Sequence, residues 1–212
     1  MNHWHIETAS EGDKEEILAL YRSMIGGKAD WNEDYPCMDT ITFDISRDAL
    51  FVMKNEQNEI IAAISIDEDA EVRHCAFIRG SAIVGEGAVV GNSTELKNVI
   101  LFDNVQTPHY NYVGDSILGY KSHMGAGSIT SNVKSDKTLV VVKDGYENIE
   151  TGLKKFGAML GDEVEAGCNS VLNPGTVIGK NSNVYPLSPV RGVVPANSIY
   201  KTGGIIVSKD LM

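Results

Sequence analysis

From residue 72 onward, large aliphatic or aromatic side chains recur at every sixth position: Val72, Ile78, Val84, Val90, Leu96 and Phe102. Four residues after each of the first four stands a small one, Ala76, Ala82, Ala88 and Thr94, and Gly85 and Gly91 directly follow two of the aliphatics. The rule returns at Leu160, Ala166, Leu172, Ile178, Val184 and Val190, with Ser170, Thr176, Ser182 and Ser188 at the small position. A period of six matches neither helix nor alternating strand, and it persists over two separate runs. It predicts a parallel β-helix. Each hexapeptide makes one short strand, the aliphatic fills the interior, the small residue turns a corner, and three hexapeptides close a coil. Coils stacked about 4.8 Å apart then satisfy each other's backbone groups. The fold class expected is therefore mainly β, with the β-helix over residues 71–200 and a C-terminal tail over 201–212. The frame slips at Thr107-Pro108, resumes at Tyr112, Leu118 and Met124, and breaks again over Lys134–Phe156. Both interruptions are expected to be loops, and residues 134–156 have the makings of a projecting hairpin, with Thr138–Lys143 and Ile149–Leu153 flanking Gly145–Asn148.

Residues 1–70 obey a different grammar. A short alternating stretch at His5–Ala9 precedes a helix whose Ile17, Leu18, Leu20, Tyr21 and Met24 share one face. Ser10 is its expected N-cap, Glu11 and Asp13 lie in its first turn, and Gly26-Gly27 ends it. After a loop containing Trp31 and Tyr35-Pro36, a weaker helical pattern runs from about Met38 to Ser46. Strands at Ala49–Lys54 and Glu59–Ile66, joined by the polar turn Asn55–Asn58, read as a hairpin. The predicted order is βααββ, a small α/β half-domain ahead of the solenoid.

Charge narrows the partners. Acidic residues outnumber basic ones 29 to 18, for a net charge of -11, which excludes an extended nucleic-acid surface and requires any anionic ligand to be held by a local cluster. Three cysteines, Cys37, Cys75 and Cys168, show no CxxC pairing and suggest neither a disulfide framework nor a zinc ribbon. The N-terminal Met1-Asn2-His3-Trp4-His5 has no leader-like character, and no run approaches the roughly 18 apolar residues of a membrane span. A cytoplasmic protein without a membrane partner is the expectation.

Lys97 follows Arg79 by one coil of 18 residues, so the two cations should stack on one face. Like charges about 5 Å apart repel by roughly 1–3 kcal/mol at intermediate dielectric, unless an anion lies between them. A phosphate would fit; so would pairing with Glu86 or Glu95, or fanning out into solvent. His109, behind the frame-breaking Pro108, is expected on a loop lip, where an imidazole with a reference pKa of about 6.5 can act as a base or stand as an ordinary surface histidine. Ser128 and Thr130 fall inside the repeat and read as turn residues.

Specific motifs add a resemblance. Ile78-Arg79-Gly80, Val90-Gly91-Asn92, Glu95-Leu96-Lys97, His109-Tyr110-Asn111-Tyr112-Val113-Gly114-Asp115 and Met124-Gly125-Ala126-Gly127-Ser128-Ile129-Thr130 resemble the left-handed β-helix (hexapeptide-repeat) acyltransferases. The nearest likeness is to the acetyltransferase domain of the bifunctional glucosamine-1-phosphate acetyltransferase/N-acetylglucosamine-1-phosphate uridyltransferase family, and related sugar-nucleotide pyrophosphorylase-like proteins share the pattern. The resemblance supplies the left hand of the helix and a set of roles. Arg79 and Lys97 would bind the sugar phosphate, Tyr112 would add a hydroxyl, and Asn132 would orient the sugar. His109 would be the general base, and the Ala126 backbone N–H would steady the oxyanion. It implies acetyl-CoA as co-substrate, a phosphorylated amino sugar or sugar nucleotide as acceptor, and a homotrimer. The chain departs from that family in having His123 for an asparagine, Val133 for a tyrosine, and the 134–156 insertion. His74, His109 and His123, spaced 35 and 14 apart, do not reproduce the histidine spacing of the gamma-class carbonic anhydrases, so no metal site is expected.

Residues 5–67 resemble instead the N-terminal half of a GCN5-related N-acetyltransferase, in Ile6-Glu7-Thr8-Ala9, Ile17–Met24, Trp31–Pro36, Leu50-Phe51-Val52 and Ile60–Asp67. No glycine-rich pyrophosphate loop follows Ile66, so an autonomous enzyme of that kind is not expected, and a cap on the solenoid is. The expected function is transfer of an acetyl group from acetyl-CoA to the amino group of a phosphorylated amino sugar or sugar nucleotide. The alternative is a non-catalytic sugar-phosphate-binding or scaffold protein.

Overall fold

A computed structural model describes residues 4–25, 37–66 and 69–209. The chain divides into two compact units, Met1–Glu68 and Asp69–Met212.

In the first unit the order is β1 (His5–Thr8), α1 (Lys14–Ile25), α2 (Met38–Ser46), β2 (Leu50–Lys54) and β3 (Ile60–Ile66). β2 is the middle strand, antiparallel to both β1 and β3. Ile17 and Leu18 of α1 and Ile41 and Ile45 of α2 bury against Leu50, Val52, Ile60 and Ala63, with Leu20 and Tyr21 packed alongside. Ahead of α1, the Asp13 carboxylate accepts hydrogen bonds from the Ser10 N–H (2.8 Å) and hydroxyl (2.6 Å), which sets the helix entry. The inward alternation of β2 also carries Lys54 into the interior, where its ammonium meets Glu7 at 2.7 Å and Asp13 at 2.6 Å. Those bonds to Asp13 and Glu7 hold the Lys54 pKa above its usual range. The Met24 side chain, the Gly26-Gly27 stop and the loop with Trp31 and Tyr35-Pro36 lie outside the described residues.

The second unit is a left-handed parallel β-helix. One face stacks Glu71–Val72, Val89–Asn92, Gln106–His109, His123–Met124, Glu165–Ala166, Asn183–Val184 and Ser198–Lys201. Strands Phe77–Val84, Glu95–Leu101 and Tyr112–Leu118 bend round a corner and serve the other two. Ile129–Thr130, Val171–Leu172 and Pro189–Val190 continue the second face, and Ala158–Leu160, Thr176–Ile178 and Val193–Val194 the third. Hexapeptide aliphatics such as Val84, Val90, Leu96, Leu172, Ile178 and Val190 fill the interior, and small polar residues such as Thr94, Ser128 and Ser170 are buried at the corners.

The frame slip has a different origin from the loop expected at Thr107-Pro108, for Gln106–His109 is a paired strand. It arises earlier, at the corner between the second and third faces. Two residues, Gly80 and Ser81, turn the first coil between its second and third faces, but single residues, Asn98 and then Asp115, turn the next two. Both are left-handed, with φ of 51° and 47°, a conformation that asparagine and aspartate tolerate better than most residues. Each single-residue corner shortens its coil by one, and the interior register moves with it. Leu101, fully buried, fills the place expected for Phe102, which is 51% exposed. Val113 likewise points in and Tyr112 out.

The long insertion leaves the solenoid between the second and third faces and is closed at its base by a Val133–Lys155 bridge. It forms the expected hairpin, pairing Val141–Lys143 antiparallel with Asn148–Glu150. The hairpin leans on the solenoid: Val140 is fully buried, and a Cβ at Gly175 or Gly192 would stand 2.9 Å from the Val141 carbonyl or 2.6 Å from that of Lys143. Only glycine permits so close an approach. At the C-terminus, Ile205–Ser208 is not a tail but a strand antiparallel to Ser198–Lys201. Among the described residues, no helix is long and apolar enough to cross a membrane.

Leu172 is fully buried and stacks between Thr130 and Val190. Leu172→Asp puts an unpaired carboxylate there and should cost about 4 kcal/mol or more, lowering the melting temperature by about 10 °C. An unchanged melting temperature would contradict the interior register.

Candidate active site

Strand alternation decides which side chains meet on the second face. Ile78, Leu96 and Val113 point inward, so Arg79, Lys97 and Tyr112 point outward. Arg79 lies in register with Lys97, and Lys97 with Gly114; Glu95 lies in register with Tyr112. The cations are stacked as expected but not uncompensated. Arg79 Nε donates to Glu95 Oε1 at 2.6 Å, one of the pairings the sequence left open. Lys97 meets a partner that was not foreseen, Asp115, at 3.5 Å, and both side chains are about 15% exposed.

Asp115 is the hub of this face. Its left-handed corner position aims the carboxylate along the stack, where Asn98 Nδ2 donates to one oxygen at 3.0 Å and Asn132 Nδ2 to the other. Asn132 Nδ2 also donates to the Tyr112 hydroxyl at 3.2 Å. The Tyr112 ring lies back over Gly114, whose missing side chain makes room: a Cβ there would fall 2.5 Å from Oη. Burial, and then the Asp115 charge, push the Tyr112 pKa above its usual value of 10. The phenol is thus a proton donor throughout the neutral range.

His109 ends its strand at the corner leading into this face and is exposed. Its backbone N–H donates to Asn111 Oδ1 at 3.1 Å and its carbonyl accepts from Gly127 N–H at 3.0 Å. The imidazole makes no hydrogen bond among the described residues. Ala126 occupies the corner of the next coil, directly above it. That corner is closed by the Gly127 N–H to His109 and the Ser128 N–H to Gly125, leaving the Ala126 N–H outside the turn's own bonds. Asn111, buried, pins the two corners by donating to the Gly125 and Ser128 carbonyls at 2.9 and 3.1 Å. Ser128 and Thr130 are buried and spent on internal hydrogen bonds.

The structure therefore gathers Arg79, Lys97, Tyr112 and Asn132 on one face and His109 with Ala126 at its adjoining corner. Asp115, Asn98 and Gly114 belong to the same assembly and were missed as participants. The available signal was the 17-residue interval between Asn98 and Asp115, both residue types suited to a left-handed corner. His123, which stands where the resembling family has asparagine, pairs with Glu165 at 2.8 Å. No group of three or more His, Cys, Asp or Glu is placed to hold a metal among the described residues.

Comparison with known proteins bears on the same region. The family profile described as the GMPPB C-terminal domain matches residues 60–178, more than half of the chain and every candidate site residue just described. The chain belongs to the GMPPB C-terminal domain family. Its match begins within β3, ahead of the first hexapeptide. The bifunctional protein GlmU of Methanococcus maripaludis is 35% identical over 135 residues, which are 63% of this chain and 33% of that protein. The bifunctional sugar-1-phosphate nucleotidylyltransferase/acetyltransferase of Sulfurisphaera tokodaii is 29% identical over 161 residues, 68% of this chain and 40% of its own. This member of the family thus spans about a third of the length of the curated relatives it matches. A crystal structure of a Bacillus cereus protein described as a putative acetyltransferase shares the fold, with a TM-score of 0.54 at 15% identity over 70% of this chain and 78% of that one.

Proposed function

We propose that the protein transfers an acetyl group from acetyl-CoA to the amino group of a phosphorylated amino sugar or sugar nucleotide. The observation that carries this reading is the convergence of two phosphate-competent cations, a protonated phenol and an oriented amide on one face, beside an exposed imidazole at the next corner. The Sulfurisphaera tokodaii relative, whose name includes acetyltransferase, supports the choice of reaction. Arg79 and Lys97 hold the acceptor's phosphate, Tyr112 donates to it, and Asn132 orients the sugar. His109 takes a proton from the amine as its nitrogen bonds to the thioester carbonyl carbon. The Ala126 N–H stabilises the oxygen as it becomes negative. The C–S bond then breaks, and the departing thiolate takes the proton back from His109. Because Glu95 already occupies Arg79, the phosphate must displace that carboxylate, which weakens ground-state binding relative to a free clamp.

A second reading, binding without turnover, is favoured by one observation: both cations are neutralised by Glu95 and Asp115 within the chain. We infer further that the protein is a cytoplasmic homotrimer. Ile83, Ile100, Ile117, Met159, Val177 and Val193 stack in register as an outward apolar column on the third face, a surface suited to a neighbouring copy. Cys37, Cys75 and Cys168 are all free, as a reducing compartment favours.

Light scattering at micromolar concentration should return three times the chain mass; a monomer mass would refute the assembly. His109→Ala should lower kcat by about 10² to 10⁴ with little change in phosphate affinity. Arg79→Ala should chiefly raise KM, and added salt should weaken what binding remains. Parallel losses in both variants, or no loss in either, would overturn this division of roles.

A further inference from the structure

Strand β1 of the first unit is bonded on one side only. Among the described residues it pairs with β2 and with no other strand, and Trp4 to Thr8 are all exposed. The ladder decides which backbone groups stay open. Just past the strand, the Ala9 N–H donates to the Leu50 carbonyl at 2.7 Å, and in an antiparallel pair such bonds recur at every second residue. Glu7, opposite Val52, and His5, opposite Lys54, therefore spend their N–H and C=O groups on β2. Ile6 and Thr8 turn theirs to the open edge, and Trp4 shares their phase. The other side of β2 agrees with this phase: the Ile66 N–H donates to the Ala49 carbonyl, so β2 serves β3 with the residues it does not spend on β1.

An open row of N–H and C=O groups is a template for another strand, and edges meant to stay unpaired commonly carry lysine, proline or a bulge. β1 has none of these. Its side chains sort by face. Ile6 stands beside Met53, and Thr8 beside Phe51, on the side of the sheet away from the helices; Ile6 is 58% exposed and Trp4 56%. His5 and Glu7 lie on the helix side. There the bond from Lys54, at 2.7 Å to Glu7 Oε1, holds the Glu7 carboxyl below the usual carboxylate range. Glu7 Oε2 is 3.6 Å from His5 Nε2, beyond hydrogen-bond reach, and keeps its capacity to accept.

These features suit a second copy of the same strand, and charge selects the register. A two-fold axis on His5 or on Glu7 sets two imidazoles or two carboxylates directly opposite each other, which is unfavourable. An axis on Thr8 runs the pairing into Ser10, where the chain leaves the sheet. An axis on Ile6 sets His5 opposite the partner's Glu7 and Glu7 opposite the partner's His5. Ile6 then exchanges both backbone bonds with the partner's Ile6, and Trp4 with the partner's Thr8, so every open group from Trp4 to Thr8 is met. On the other face Met53, Ile6, the partner's Ile6 and the partner's Met53 form one apolar row.

We infer that two copies of the chain join edge to edge through β1, antiparallel about a two-fold axis on Ile6. The contact is isologous and independent of the proposed acyl transfer. It is also short, so the association is weak, with a dissociation constant on the order of 10⁻⁴ M, and adds to any assembly through the solenoid.

Oxidative cross-linking of the full chain tests both the pairing and its register. With the axis on Ile6, the two Ile6 Cα atoms stand about 5.5 Å apart, within reach of a disulfide. Thr8 and the partner's Thr8 are four residues apart along the strands, about 13 Å, and out of reach. Ile6→Cys should therefore give a covalent dimer on a non-reducing denaturing gel. Thr8→Cys should give no more than wild type, in which Cys37, Cys75 and Cys168 set the background. In sedimentation equilibrium, the wild-type mass should at least double between about 10 µM and 1 mM. Ile6→Lys, which sets two ammonium groups on the axis, should keep its low-concentration mass throughout. His5→Lys should tighten the association and His5→Glu weaken it, each by about tenfold over the two symmetric pairs. The substituted side chains are exposed, so melting should be unaltered, and the disulfide arm reads a gain that misfolding does not mimic. The doubling is relative, so it holds whether the low-concentration species is the proposed trimer or a single chain. The inference is overturned if Ile6→Cys cross-links no better than Thr8→Cys, or if wild type and Ile6→Lys have the same mass at every concentration. An edge that pairs instead with a different protein gives both of those results.

Discussion

The stacking of coils through parallel backbone hydrogen bonds governs everything else in the second unit. A strand in this solenoid has no partner within its own coil, so its N–H and C=O groups must be met by the coils on either side. That requirement locks the register of each coil to its neighbours, and with it the position of every outward side chain. Arg79 and Lys97 stand together because Phe77–Val84 and Glu95–Leu101 pair there. Tyr112 reaches Asn132 because the next pairings, shortened by one residue per coil, stack their strands in turn. The candidate site is a consequence of register, with no element dedicated to building it.

Variation falls at one set of corners, those between the second and third faces. A corner can lose a residue, as at Asn98 and Asp115, or absorb the whole of 134–156, and the strands on both sides remain paired. Both events occur at the junction of the second and third faces. The shortened corners turn Asn98 and Asp115 into a polar ladder against Lys97, Asn132 and Tyr112, and the insertion raises a hairpin beside it. Rigid faces with adaptable corners place chemistry at the edges of the solenoid.

Much of this was legible in the sequence. The six-residue period marks the solenoid, its interior column and the stacking of Arg79 on Lys97, because coil length and side-chain size are local properties. The polar turn and β-rich run in 134–156 mark a hairpin. Less legible was the corner count: the slip shows in the pattern only after it has accumulated, at Thr107-Pro108, although Asn98 causes it. Phe102 and Tyr112 were therefore assigned to the interior one residue out of step. The partners of the cations were not legible either. Asp115 approaches Lys97 only through a left-handed corner on the adjacent coil, and a sequence period carries no information on side-chain direction at a turn.

The claim that organises the account is that an amine, held by its sugar phosphate on the second face, attacks acetyl-CoA. Release of free thiol from acetyl-CoA should be followed for the wild-type protein with glucosamine 1-phosphate, other amino-sugar phosphates and amino-sugar nucleotides, each beside its N-acetylated counterpart. The account predicts saturable thiol release with at least one free amine and none with the matching N-acetylated compound. A correctly folded protein that releases no thiol above the acceptor-free rate with any of these amines would contradict it.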